Sequence, residues 1–428
     1  MINYFAHISD GASPLVLFGR GGLVEYADLG TGADVRAIAT MGGAQYAVSD
    51  GRVWKITAAT ATEIGSVADG ETHMAASFDE LAIVSGGRYY ICDGTGVTEY
   101  TTGAVTSATG VAFLDGYFIV TGEAAGRADA LTVSSLDDGT TFDALEFAYA
   151  ESNPDALVGL IADHNELWAF GTDTVQVFYN SGELTFPFTP NKGALIEQGC
   201  VSGASIAKAD NAVFWVTPDG KVGRSFGSGP EWIDTAEIRR ELSESTISGA
   251  YTFSERGHEF YAIRRTEGTT LVVDLKTGLW HERAAGLSGG PWGATCGHTF
   301  GGVEYFGTSD GRVATIGEDT YTDFGEVLAA EAVSPIVENS GQPFRVARLH
   351  LDISGGGDDI DRTPQVMLQS TRDGFNWGEE HWRDLAGPGQ YGKRVTWHAL
   401  GQFRRGAIRV RITDPVSRDI HGVAVDRG

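Results

Sequence analysis

The chain has 428 residues, among them 59 glycines, 12 prolines and 3 cysteines, and its 31 basic against 57 acidic side chains give a formal net charge of −26. A hydrophobic content of 42% is enough to fill a sizeable core, which excludes a disordered chain. The acidic balance excludes a general binder of the DNA backbone and a polybasic membrane-surface protein, both of which need Lys and Arg to meet phosphates.

The N-terminal MINYFAHISDGA has neither a basic region nor a continuous apolar one, so no signal peptide is expected. No run approaches the ~18 apolar residues of a membrane span, and no membrane insertion is expected. Cys92, Cys200 and Cys296 lie far apart without a Cys-x-x-Cys or Cys/His cluster. Three isolated buried thiols in a protein made in a reducing cytoplasm follow, rather than a zinc site or a disulfide framework.

From residue 45 onward, short β-type runs alternate with Gly/Asp turns. QYAVSDGRVWKI (Gln45–Ile56) reads as strand, turn, strand. ELAIVSGGRYYICDG, GYFIVTG, ELWAFGTDTVQVFYN, AVFWVTPDGKVGRS, HEFYAIRRTEGTTLVVDLKTGLWHER and VEYFGTSDGRVATI continue the series. The hairpins begin near residues 45, 80, 116, 166, 212, 258 and 303, a spacing of 35 to 50 residues that fits propeller blades of four strands each. About seven such blades closing on themselves leave only short edges; two stacked β-sandwiches are the alternative. One helix is expected at Asp234–Ser245, with Asp234 as N-cap, Glu237 at the third position and Ile238 and Leu242 on one face. Its arginines, Arg239 and Arg240, are read as part of a solvated, charge-paired face.

The last hundred residues read differently. RVARLHLDI, QVMLQSTRDGFNWG, KRVTWHAL and AIRVRITDP alternate as half-buried strands do, which predicts a compact β domain resembling a sandwich. Arg409 and Arg411 fall on one face of their strand and suit either an interface or a solvated surface. Residues 329–428 hold 13 basic and 13 acidic groups, so the 18 basic and 44 acidic groups of residues 1–328 carry the whole excess. The expected division is an acidic β-propeller at 1–328 and an Arg-rich, charge-neutral β domain at 329–428, an all-β chain throughout.

No catalytic, cofactor-binding or metal-ligating set assembles. His258-Glu259 and His281-Glu282 open HExx patterns, but Ala262 and Ala285 stand where the second zinc-binding histidine would be. No phosphate-binding glycine loop or nucleophile elbow is present. Asp358, Asp359 and Asp361 lack the spacing and terminal Glu of a calcium loop. SLDDGTTF (Ser135–Phe142) matches the Asp-box turn of sialidase propellers, and STRDGFNW (Ser370–Trp377) is a displaced version. The arginines and Tyr/Glu pair of a sialidase do not accompany them.

A longer block carries more. Ala150–Cys200 contains Asn153-Pro154-Asp155, then Leu167-Trp168 with Phe170-Gly171, Gln176 through Gly182, Phe186-Pro187-Phe188 and Ile196 to Cys200. Together with DGTTFDAL, GHEFYAIR, DLKTGLWHER and much of the C-terminal run, this resembles the packaged-DNA stabilisation, or tail nozzle (tail hub), proteins of short-tailed bacteriophages. Gln176, where an acidic residue is usual, and Arg372–Phe375 depart from the pattern. The resemblance implies a virion tail protein: a β-propeller with an added β domain, a homo-oligomer of six copies in a ring below the portal and adaptor. It implies contacts with tail fibre or needle proteins, and double-stranded DNA retained and then conducted through the lumen without specific binding. It implies no catalytic residue and no cofactor. An acidic lumen would let the duplex slide, though the acids could equally lie outside. A carbohydrate-binding or sialidase-like propeller acting in receptor recognition is the alternative.

Overall fold

The computed structural model describes residues 1–8, 15–150, 155–183, 185–227, 229–287, 289–355, 363–386 and 392–427. Its repeat is set by two-residue turns. Asp50-Gly51, Gly86-Gly87, Asp115-Gly116 and Gly301-Gly302 have positive φ at both positions, a geometry whose twist matches that of the strands it joins. Pairing therefore runs up to the turn, with Ser49 opposite Arg52 and Leu114 opposite Tyr117.

Among the described residues, seven antiparallel sheets of four or five strands follow one another as blades at 35–66, 72–100, 107–149, 157–190, 207–232, 247–291 and 294–317. The seventh takes its outermost strand from Gly22–Asp28, with Leu23 opposite Ile316. An early strand thus closes the last blade and ties the ring.

Each pair of neighbouring blades shares an apolar cluster. Val48 and Ile83 belong to the cluster between blades 1 and 2, Ile91 and Phe118 to that between 2 and 3, and Leu131 and Leu167 to that between 3 and 4. Phe170 then packs with Trp215, Phe214 with Tyr261, Phe260 with Phe306, and Val313 with Val35, which returns to blade 1. Middle strands such as Leu81–Ser85 and Ala212–Val216 are buried along their whole length, as expected when both faces of a sheet are covered.

Apart from a short hairpin, Thr322–Asp323 with Glu326–Val327, the remaining described strands form two facing sheets. One runs Tyr4–Ile8, Leu15–Gly19, Ile420–Arg427, Phe344–Ser354, Gly392–Phe403; the other runs Ala330–Val333, Arg405–Ile412, Gln365–Thr371, His381–Asp384. Leu351, Leu368, Trp397 and Ile412 fill the space between them, together with Tyr4. The first two strands, which the sequence groups with the propeller, therefore belong to the sandwich sheet, joined at Leu17 opposite Ile420.

Two further expectations change. The helix spans Ala236–Ser243 and its N-cap is Thr235, whose hydroxyl accepts the Ile238 amide. Asp234 instead accepts the Val222 amide and pairs with Arg239, so the carboxylate serves the preceding strand. Arg409 and Arg411 are partly buried and already paired within the chain. Both pair with Glu331 across the sheet, at 3.3 and 2.6 Å, and Arg409 lies 4.0 Å over the Trp377 ring.

Candidate functional site

The block of sequence singled out between 150 and 200 forms one structural knot in blade 4. Asn153 and Pro154 lie outside the described residues. Asp155 is buried, and its carboxylate accepts the amides of Asp173 and Thr174 at 2.7 and 2.8 Å and the Thr174 hydroxyl at 3.2 Å. It sits directly on Gly171, where a Cβ would lie 2.1 Å from the carboxylate oxygen. The Cys200 amide donates to the Gly171 carbonyl at 2.8 Å, and Gly199 passes so close to Thr172 that a Cβ would lie 2.2 Å from its carbonyl oxygen. The Cys200 thiol bonds Ser205, and burial pushes it up to about 11. A protonated thiol in that place is a packing group and not a nucleophile. Trp168 and Phe170 fill the blade interface, and Phe188 seals the other side. Gln176 is buried in the same blade.

The second block, Asp274–Arg283, builds the joint between the two units. Asp274 accepts the Lys276 amide at 2.9 Å and the Thr277 hydroxyl at 2.8 Å, holding the turn, and it also binds His258 at 2.7 Å. His258 in turn meets His7 of the first strand at 2.9 Å. His281 is buried beside Phe5 and Phe260; burial, with the nearby Arg283 charge, pushes its imidazole well below the ordinary 6.5. The HExx patterns therefore lie on strands, and their histidines serve packing.

Arg283 and Glu255 form a fully buried pair at 2.7 Å, with the guanidinium over Phe253 and Trp292. Glu255 also accepts the Gly21 amide at 2.6 Å. Arg20 forks onto Asp323 at 2.5 and 2.9 Å; burial raises the Asp323 carboxyl, but Arg20 outweighs it and holds the group below its usual range. Asn3 donates to Ala284 and Ala329 and accepts from Ala284 and Arg20. Arg256 of blade 6 grips Asp419 of the sandwich at 2.8 and 3.0 Å. A buried pair gives geometry more than net energy, since desolvation offsets attraction; here the geometry fixed is the seating of the sandwich on blades 6 and 7.

The third feature is the propeller axis. The short helical turn Gly203–Ser205 enters it from the connection before blade 5, held by the Tyr261 hydroxyl on the Ser205 carbonyl at 2.5 Å. Gly203 lies against Val158, Glu71 and His73. Three cavities meet at this turn: one of about 510 Å³ facing blades 1, 2, 6 and 7, one of about 490 Å³ facing blades 2, 3 and 4, and one of about 370 Å³ facing blades 2 to 5. Each is the size of a small-molecule pocket, far too small for a duplex.

Among the described residues, no group of three or more His, Cys, Asp or Glu side chains is placed to hold a metal ion, and no helix is long and apolar enough to cross a membrane. The acidic cluster Asp358, Asp359 and Asp361 lies outside the described residues. In the Asp-box match it is Asp138, not Asp137, that caps the turn, accepting the Thr140 amide at 2.9 Å. In the displaced version Asp373 accepts the amides of Phe375 and Asn376. Both are local turn devices.

Comparison with known proteins agrees with this reading. Residues 11–320 match the family described as bacteriophage P22 Gp10, beta-propeller, and residues 329–427 the family described as bacteriophage P22 Gp10, beta-sandwich. A curated relative, the tail hub protein gp10 of Salmonella phage P22, is 25% identical over 419 residues, covering 87% of this chain and 84% of that protein. Among solved structures, the computationally designed Ika8 protein is 13% identical with a TM-score of 0.44, covering 68% of this chain and 99% of that one. The Pan2 WD40 domain of Neurospora crassa is 9% identical with a TM-score of 0.47, covering 72% and 98%. The chain belongs to the bacteriophage P22 Gp10 family and is a structural component of a phage tail.

Proposed function

We propose that six copies of this chain form a ring below the portal and adaptor, which retains packaged DNA and conducts it during ejection, with no catalytic step of its own. The chain is made in the host cytoplasm and works in the virion tail, divided near residue 328 into a propeller and a sandwich. The observation that carries the reading is the two-part match to a tail hub protein across most of both chains.

The filled propeller axis supports the assembly. A duplex has no path through a single copy, so a conducting lumen has to lie between copies. The charge supports the passage: six copies at −26 carry about −156 formal charges, and with a Debye length of ~8 Å at physiological salt they act on DNA only where they line the wall. The ring also contacts the portal, the adaptor and a fibre or needle.

Native mass spectrometry and negative-stain microscopy of the purified protein, alone and with portal and adaptor, test this. A six-copy ring seated on the adaptor is the expected result. A stable monomer that cleaves a fluorogenic sialoside would overturn it in favour of a receptor-recognising propeller.

A further inference from the structure

Among the described residues, one flank of the sandwich leaves apolar side chains exposed. Val423 lies opposite Leu351 and Val425 opposite Leu349, so all four side chains point to the core-facing side. Leu349 and Leu351 are buried, yet Val423 and Val425 are 49% and 46% exposed. On the other side of their strand, among the described residues, Leu15–Gly19 pairs with it only at Leu17 opposite Ile420. With Val337 of the facing sheet, Val346 and Phe403 they line an apolar groove of about 320 Å³. Phe403 continues into a second hollow bearing the exposed Arg372, Arg404 and Arg405. Among the described residues, no carboxylate lines either hollow; Glu338 stands nearby, opposite Arg405 in the strand pairing.

The complement of this groove lies on blade 3. In its outer strand the pairing jumps from Ser134 opposite Phe142 to Thr132 opposite Phe147, so residues 143–146 bulge outward. Leu145 on this bulge is 82% exposed, between Asp143 and Glu146. The bulge is held in place. The Leu145 amide donates to the Asp143 carboxylate at 2.9 Å, and the Thr132 hydroxyl to the Glu146 carbonyl at 3.2 Å.

The two features belong to different parts of the ring: the sandwich is tied to blade 6 through Arg256 and Asp419, and blade 3 lies half-way round a ring of seven from it. Val425 lies five residues beyond Ile420, roughly 16 Å along its strand and away from the Asp419 joint.

We propose that the Leu145 bulge of one copy seats in the Val423–Val425 groove of a second copy, with Asp143 and Glu146 meeting the arginine rim. A leucine flanked by carboxylates fits an apolar groove flanked by guanidiniums in both charge and chemistry. Because the two patches differ, the contact is head-to-tail, the kind that closes into rings. The inference rests on the homo-oligomer reading above and names its surfaces.

Native mass spectrometry of Leu145→Glu and of Arg372→Glu/Arg404→Glu tests it, with thermal melts to verify folding. Each variant is expected to weaken assembly at least tenfold, and Glu146→Arg, which leaves the Asp143 carboxylate on the Leu145 amide, is expected to restore assembly in part to the double glutamate variant. In a second measurement, Leu145→Cys/Val423→Cys is oxidised. Chains linked to one another are expected: native Cys92 and Cys200 are buried, and the half-buried Cys296 is replaced in the same background (Cys296→Ser). Full rings from Leu145→Glu, or no cross-link from assembled rings, overturn this inference while leaving the homo-oligomer intact. A wild-type chain that stays monomeric overturns both.

Discussion

Many of the acids have a local use that precedes any electrostatic one. Asp50, Asp115, Asp137 and Asp210 occupy turn positions with positive φ, which Asp tolerates better than most residues. Asp28, Asp93 and Asp143 accept the amide two residues on, the side-chain version of a turn. A propeller needs such turns in every blade, so part of the charge on residues 1–328 follows from its architecture. The glycines are equally local. Gly199→Ala would force a Cβ into the Thr172 carbonyl, whereas at Gly193, six residues earlier, the nearest atom is 3.6 Å away. The expected cost of Gly199→Ala is about 1–3 kcal/mol or more, and that of Gly193→Ala is close to nothing. Urea midpoints of the two variants decide it, and equal midpoints would show that the close approach at blade 4 relaxes freely.

At the scale of elements, blade hairpins were legible because each is a local pattern: Gln45–Ile56 contains its own turn and both alternating runs. The sandwich strands were legible for the same reason. The partner of the strand Gly22–Asp28 was not, since closure pairs Leu23 with Ile316 across nearly three hundred residues and leaves no periodic trace. Nor was the N-terminal hairpin's place in the sandwich, because Tyr4–Ile8 alternates as well for one sheet as for another. The TGLWHER block could be recognised, but its reason lies in partners far away: Trp280 donates to the Ile233 carbonyl, His281 lies under Phe5, and Arg283 meets Glu255. That joint gives a pH dependence. His281 and His7 are held below the ordinary histidine value, by burial first and by neighbouring positive charge second. The unfolded chain takes up those protons near 6.5 while the folded one resists, so stability falls as pH drops below 6.5. Asp323, depressed by Arg20, adds a loss only below the usual carboxylate range. The melting temperature is expected to fall by several degrees between about pH 7.5 and 5.5. His281→Phe, which keeps the ring contacts and removes the titration, is expected to flatten that slope. Identical slopes for the two proteins would place the acid sensitivity elsewhere.

At the scale of the whole molecule, the charge and the closed axis lead to one consequence. A propeller whose axis is occupied by Gly203–Ser205 cannot thread a duplex, so any DNA in a tail of this construction meets the outside of a chain whose residues 1–328 hold 44 acidic against 18 basic groups. A protein that holds DNA by neutralising six to ten phosphates loses ~10³–10⁵ in affinity between about 50 and 200 mM salt. One that only confines DNA has no such affinity to lose. Linear duplex incubated with the assembled ring is therefore expected to show no retention in an electrophoretic or filter assay at either salt concentration. The slight effect of lowering salt should be repulsive, because the Debye length grows from ~8 Å at physiological ionic strength to ~30 Å at 0.01 M. The arginines of the sandwich are the place where this could fail. If Arg372, Arg404 and Arg405 faced the lumen instead of a neighbouring copy, retention would appear at low salt and vanish steeply on raising it. Removing those arginines would abolish that retention without dissolving the ring, and that result would put the sandwich, not the propeller, against the DNA.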